Sequence, residues 1–530
     1  MRCRGLVWLL SLLMLMAAGG LVSCAPPDET PDDPVGEDPD ETEELFRGTL
    51  RVAWRDEPST IDLHSTTHVS TRFVAKNIYE MLFAMNEEFQ PQPMLAEDYS
   101  ISDDARTYTI SLRQGVLFHN GKEMTSEDVL ASVERWGQMS SVGRTVFENI
   151  ESIEDLGPYE IRVQLVEPSF FFLSSMAVAR QGPVIYPKEV VDAAGTDTTD
   201  QVIGTGPFML DEWIHDREIR LVRFEDYSPR GEEPDGYSGR RTAYVDEIVY
   251  TQVPDAAVRA MSLEAGDYDF VIDISGDDYA RLRDNPDLTV HKSSPTLACM
   301  YINKAEGIMA DRLLRQAALA ALNQDEIMMG AYGDPEVYRL NPSIMYKETA
   351  YYTEVAGEAW NQHDQELAKQ LMEEAGYAGE TLRWMAQAGS EYYDVAVITR
   401  DQMQAVGFNI DLEGLDGATL REYRGDPTMY EAFFGGQTYR PHPINMSWLH
   451  SDWPGWWALP EKTELKIQLL QSPTYEDEMR VWEQIQELVY WDVPIVKLGE
   501  TYSLSVHTLD VEGYLGMPDP AFWNVRLLDR

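Results

Sequence analysis

Ile248-Val249-Tyr250-Thr251-Gln252-Val253, then Pro254-Asp255 and a helical stretch closed by Gly266, then Tyr268-Asp269-Phe270-Val271-Ile272, is the part of the chain on which the fold turns. The two apolar runs are short and β-branched, as buried strands require. Asp255 stands where a helix needs a side-chain acceptor, and Gly266 suits the left-handed position after a helix. The unit reads strand, helix, strand, which predicts α/β layers.

The same grammar extends in both directions. Upstream, Leu50, Val52 and Trp54 alternate as a strand, and Arg72 to Leu82 carries Val74, Ile78 and Leu82 at helical spacing. Tyr108, Ile110 and Leu112 alternate, as do Tyr159, Ile161, Val163 and Leu165, where Pro168 stops the strand. Asn120-Gly121 is a tight-turn signal. Thr125 with Asp128 predicts a capping box ahead of a helix whose inner face is Val129, Val133 and Trp136. Downstream, Asp311 and Asp364 cap helices ending near Asn323 and Gly376. Thr381 to Met385 reads as a strand, Tyr392 to Val406 as a helix and Phe408 to Leu412 as a strand. A long amphipathic helix over Thr474 to Tyr490 precedes two late strands, Pro494 to Leu498 and Leu504 to His507.

The net charge of −49 limits the partners. Such a surface repels phosphate backbones, so nucleic acid is not expected. About ten of the 42 basic residues are lysine. At ~1 M salt the Debye length falls to ~3 Å and self-repulsion is screened. The acidity predicts a host living in high salt.

The chain contains Cys3, Cys24 and Cys299 only. No internal disulfide framework is possible once the first two are accounted for, and Cys299, within apolar Leu297 to Ile302, reads as a small buried hydrophobe. Arg2 and Arg4 precede an apolar run from Leu6 to Ala18, too short to span a bilayer. With Leu21-Val22-Ser23-Cys24 it resembles a bacterial lipoprotein leader. That resemblance implies cleavage before Cys24, a lipid on its sulfur, and a mature protein held on the outer face of a membrane. Ala25 to Glu44 is rich in Pro, Asp, Glu and Thr and reads as a disordered tether.

A series of segments, in order, resembles the extracellular solute-binding protein family 5, the dipeptide- and oligopeptide-binding receptors of ABC importers. The residues are Ile78-Tyr79-Glu80-Met81-Leu82, Pro93-Met94-Leu95-Ala96-Glu97 and Val116-Leu117-Phe118-His119-Asn120-Gly121. They continue as Thr125 to Val129, Gly204-Thr205-Gly206-Pro207-Phe208, Val245 to Ile248, Asp311 to Ala317 and Glu374-Ala375-Gly376-Tyr377. The resemblance implies an α/β, two-lobed periplasmic-binding-protein-like fold of type II. Lobe I would cover residues 46–298, with a subdomain inserted at about 91–205; lobe II would cover 299–502; residues 503–530 would return to lobe I. Strands near Leu297 to Asn303 and Ser503 to Val506 would cross between the lobes and let them close like a hinge. The implied partners are a small-molecule ligand (peptide, oligosaccharide or another small solute), ABC importer permease subunits, and a membrane through the lipid anchor. A monomer is expected.

The ligand window is Phe433 to Pro443. In the peptide-binding relatives an aspartate four residues before a proline pairs with the peptide α-ammonium; aligned on Pro443, that place holds Tyr439. No carboxylate occurs from Phe433 to Ser447. The window offers rings and cations instead: Tyr439, Arg440 and His442, followed by Trp448, Trp453, Trp456 and Trp457. Rings stack on sugars or apolar ligand parts, and Arg440 can clamp a carboxylate or phosphate bidentately. Trp54, at the cleft-edge loop Arg55 to Asp62, and Arg144, as a second anion clamp, complete the candidates. His64 and His68 share i,i+4 spacing without a supporting Glu, so no metal is expected. No cofactor or catalytic residue is expected: Gly-x-Ser-x-Gly, His-Glu-x-x-His and phosphate-loop patterns are missing. The rival class is a secreted glycosidase using paired carboxylates.

Overall fold

The computed structural model describes residues 48–178, 180 and 182–528. The leader, Cys24 and the acidic segment Ala25 to Glu44 lie outside the described residues.

The deciding stretch folds as strand Glu247–Gln252, helix Ala256–Glu264 and strand Phe270–Ile272. Asp255 accepts a hydrogen bond from Val258 N (2.9 Å), and Gly266 sits at φ +79°. Both strands lie parallel to Thr49–Trp54, one on each side. They belong to an eleven-stranded mixed sheet. Its order runs Asn409–Leu415, Thr381–Gln387, Ala432–Thr438, Leu288–Ile302, Ile495–Thr508, Phe270–Ile272, Thr49–Trp54, Glu247–Gln252, Glu218–Arg223 and Phe208–Ile214. Tyr338–Arg339 pairs with Ile495–Thr508 as a side branch.

Two long strands join the halves of this sheet. Leu288–Ile302 and Ile495–Thr508 run antiparallel along their whole length. At one end, Ser505 to His507 pairs with Phe270–Ile272. At the other end, Thr296 to Ile302 pairs with Ala432–Thr438. The pairing slips between Ser293 and Thr296 and again between Ala298 and Cys299. Such irregularities bend a ladder locally, and here they sit where the chain passes from one half to the other. The two separate late strands expected from the sequence are one continuous strand, because its neighbour pairs it throughout.

A separate four-stranded antiparallel sheet orders Ala96–Ile101, Thr107–Leu112, Glu160–Leu165 and Ile150–Gly157. The inner positions Tyr108, Ile110, Ile161 and Val163 are buried, as the alternation predicted. Helix Ser126–Met139 buries Val129, Val133 and Trp136. The Asp128 carboxylate accepts from Thr125 N at 3.0 Å, as the capping-box spacing implied.

The helix expected over Arg72 to Leu82 instead covers Val69–Ile78. Its end is set from outside: Gly206 N donates to the Ile78 carbonyl (2.8 Å), and a Cβ at Gly204 would lie 2.1 Å from that same oxygen. The glycines thus admit a close backbone crossing that stops the helix. Cys299 is buried, and burial pushes its thiol up to about 12, so it is inert as a nucleophile.

Candidate functional site

A cleft of about 1010 Å³ opens between the halves of the chain. On one side stand the end of the first strand, Trp54 to Asp56, the segment Thr66 to Phe73, and Ile272 to Asp277. On the other stand Tyr332, Tyr392 and Tyr439. Thr296 and Thr501 to Leu504, on the two long strands, line it as well. Its size is at the upper end of small-molecule sites.

Charges of both signs line the cleft: Arg55, Arg72 and Arg180 with Asp56, Asp273, Asp277, Glu391 and Asp394. Arg180 Nη1 donates to Thr438 Oγ1 (3.3 Å), and Arg440 Nη1 donates to the same oxygen (2.8 Å). Arg440 also donates to the carbonyls of Thr438 (3.1 Å) and Tyr439 (3.0 Å). Among the described residues neither guanidinium has a carboxylate partner, in a chain of net charge −49. Burial, with Arg440 and Arg72 nearby, lowers the Arg180 guanidinium to about 9; burial also lowers Arg440. Asp519 acts on Arg180 in the opposite sense but is already bonded by Arg72, so two crowded cations outside any ion pair among the described residues are left to attract an anion. Elsewhere in the cleft Asp273 holds a left-handed backbone, φ +62°, and its Oδ1 accepts from Ser503 Oγ at 2.7 Å.

Arg72 is occupied. It donates from Nε and Nη2 to Asp519 (3.2 and 3.0 Å), with Lys76 Nζ 3.6 Å from the same carboxylate. Burial pushes the Asp519 carboxyl up, but Arg72 and Lys76 outweigh it and hold it well below the usual carboxylate range.

The candidates from the sequence fall into three groups. Trp54 and Tyr439 line the cleft. Tyr439 donates its hydroxyl to the Glu348 carbonyl at 2.6 Å, which fixes its ring. Arg440 lines an adjoining cavity of about 740 Å³ that shares Thr67 and Arg180 with the cleft.

The remaining candidates are not brought to the cleft. His442 is 1 % exposed. Its Nδ1 accepts from Ile444 N, its Nε2 meets Glu478 (3.3 Å), and Phe171 and Tyr351 pack on its ring. Trp457 is buried and donates Nε1 to Asp492 (2.7 Å), with Trp448 against it. Trp456 faces Tyr430 at φ +47° and lines neither cavity. The exposed Arg144 caps its own neighbourhood, donating to the carbonyls of Gln138 and Met139 (3.0 and 3.2 Å). His64 is fully buried beside Asp62 and Arg135, whereas His68 faces the cleft, so the two do not form a pair.

Arg180, Asp273 and Ser503 were missed by sequence reasoning. Arg180 alone left a trace: it is a lone charge in the apolar run Met176 to Ile185, ahead of Gly182-Pro183.

The model of the bacterial extracellular solute-binding proteins, family 5 Middle, matches residues 90–456. A "Probable peptide ABC transporter periplasmic-binding protein" of Sinorhizobium fredii is 28 % identical over 518 residues, covering 90 % of this chain and 93 % of the relative. The glutathione-binding protein GsiB of Salmonella paratyphi A is 24 % identical over 490 residues, 88 % and 91 % of the two chains. Among solved structures, the periplasmic binding protein DppA of Helicobacter pylori, in complex with the peptide STSA, superposes with TM-score 0.71 at 23 % identity, covering 92 % of this chain and all of that one. The substrate-binding protein CtaP of Listeria monocytogenes reaches 0.78 at 20 % identity, covering 91 % and 100 %. The fold is the two-lobed type II arrangement of periplasmic binding proteins. The chain belongs to the bacterial extracellular solute-binding proteins of family 5, receptors that bind a solute for an ABC importer and are not enzymes.

Proposed function

We propose that this receptor captures a small anionic solute of the peptide type by closing its halves over it, and passes it unaltered to ABC importer permease subunits. One observation carries the reading: Arg180 and Arg440 converge on the Thr438 hydroxyl, neither is in an ion pair among the described residues, and Asp519, the carboxylate that acts on Arg180, is already engaged by Arg72 and Lys76. A ligand carboxylate would receive the guanidinium protons still unbonded. Asp273, with Oδ1 held by Ser503, offers its other oxygen to an ammonium. A zwitterion thus finds both signs in one cleft, and the ammonium partner is supplied from a different segment than the Tyr439 position. Of the tryptophans that favoured an oligosaccharide, Trp448 and Trp457 are core residues and Trp456 lines neither cavity, which leaves Trp453 in the adjoining cavity.

The hinge is the pair of long strands with their register slips near Ser293 to Cys299. Bound ligand contacting both halves would shift the population towards the closed form. The same proposal places the protein on the outer face of a membrane, tethered through a lipid on Cys24. No helix among the described residues is long and apolar enough to cross a membrane.

Mass spectrometry of solutes that copurify with the protein tests the reading. Peptides or other carboxylate-bearing solutes, released chemically unchanged, are expected. Neutral sugars as the sole cargo would overturn the anionic assignment.

A further inference from the structure

The cavity of about 740 Å³ beyond Arg180 has its own chemistry. It lies between helix Ser141–Phe147 and helix Pro460–Leu470, with the loop after strand Ala432–Thr438 as a third wall. Three cations line it: Arg180, Arg440 and Lys466. None of the three belongs to an ion pair among the described residues. Lys466 Nζ donates to His450 Nδ1 (3.1 Å), while His450 Nε2 donates to the Ile444 carbonyl (3.2 Å). That arrangement uses both nitrogens of a neutral imidazole. It holds the ammonium in place and leaves two of its protons unbonded. Glu148 and Asp452 also line the cavity, so three cations face two carboxylates where the rest of the chain is strongly acidic. Trp453 presents a ring there, fixed by Tyr301 (centroids 4.9 Å apart) and Phe433 (5.8 Å).

The two cavities share Arg180 and Thr67, and Arg440 stands in the second while bonding the same hydroxyl as Arg180. The arginine pair is therefore the boundary between them. A ligand held by one carboxylate at this boundary can extend a substituent past it.

We propose that the second cavity is a specificity pocket for an acidic side chain of the bound peptide, whose carboxylate is received by Lys466 and Arg440. The assignment rests on the peptide-type reading of the cleft. It makes the cargo an acidic peptide, carrying one more carboxylate than its terminus supplies.

Calorimetric titration of the full-length protein with two matched sets of alanine tetrapeptides tests this. One set carries a single Glu at each position in turn, the other a single Gln. At one position the Glu peptide is expected to bind at least tenfold more tightly than its Gln partner. Lys466→Gln should bring that Glu peptide down to the affinity of its Gln partner, and Lys466→Arg should restore the preference. Equal binding of Glu and Gln partners at every position would overturn the pocket while leaving the cleft reading intact. A Glu preference that survives Lys466→Gln would overturn the pocket in the same way. Failure of the wild-type protein to bind either set would overturn the peptide reading itself, and the pocket with it.

Discussion

Arg180 and Arg440 are 260 residues apart in the chain and donate to one oxygen, the Thr438 hydroxyl, at 3.3 and 2.8 Å. Neither guanidinium is in an ion pair among the described residues, and Asp519, which acts on Arg180, is already bonded by Arg72, so the convergence favours an anion.

Replacing either arginine by alanine should weaken an anionic ligand at least tenfold, or ~1.4 kcal/mol, in calorimetric titration. Arg180→Ala should cost more than Arg440→Ala, since among the described residues Arg440 is held by two additional carbonyls and Arg180 by the hydroxyl. Unchanged affinity for both variants would remove the pair from the site.

Glu500 is fully buried against Lys497 (Nζ–Oε1 2.5 Å) and also pairs with Arg339, while Asn341 donates to it at 2.7 Å. Glu500→Gln should destabilise the fold by about 3–5 kcal/mol, because the buried Lys497 loses its counter-charge, whereas Arg339 keeps Glu348. Urea unfolding measures this; a midpoint within error of wild type would refute it.

Acid should weaken the fold before any carboxylate titrates. His64 Nδ1 accepts from Arg135 Nη1 (3.2 Å) and its Nε2 donates to the Val184 carbonyl (3.1 Å). His119 is held likewise, by Gly204 N (3.2 Å) and the Gly206 carbonyl (3.0 Å). Both rings are thus bonded as neutral imidazoles, and a further proton would break a bond. Burial lowers His64 to about 3 and His119 to about 4. Lowered histidines leave the unfolded chain binding more protons once the pH drops below ~6.5, so stability falls from there until the folded values are reached. Each contributes a slope of about 1.4 kcal/mol per pH unit. Denaturant midpoints between pH 7 and 4 should show the loss, and His119→Gln should flatten it. A flat wild-type profile would contradict the assignment.

The radius of gyration from solution scattering should shrink when ligand is added, since the crossing strands permit closure. Identical curves with saturating ligand would show that the halves do not move.

The melting temperature should rise between 0.1 and 1 M salt, as screening shortens from ~10 Å to ~3 Å around a net charge of −49. A salt-indifferent melting point would separate this acidity from any stability role.

The elements were legible because their signals are local. Alternation in Tyr108 to Leu112, the Thr125–Asp128 box and the Asp255 cap each act within a few residues, and the order of such segments carried the family. Placement was not local. Where the helix from Val69 ends depends on Gly204 and Gly206, over a hundred residues away. His442, Trp448 and Trp457 read as binding residues beside glycine and proline, yet all three are buried. Sequence alone determined that this chain is an acidic α/β solute-binding protein with an unusual aromatic and cationic window. Only the tertiary structure decided which cations in and around that window form no ion pair among the described residues. Burial and pairing are properties of groups distant in sequence that meet in space, and Arg180 acquired its place only when the strand ending at Thr438 was laid beside it.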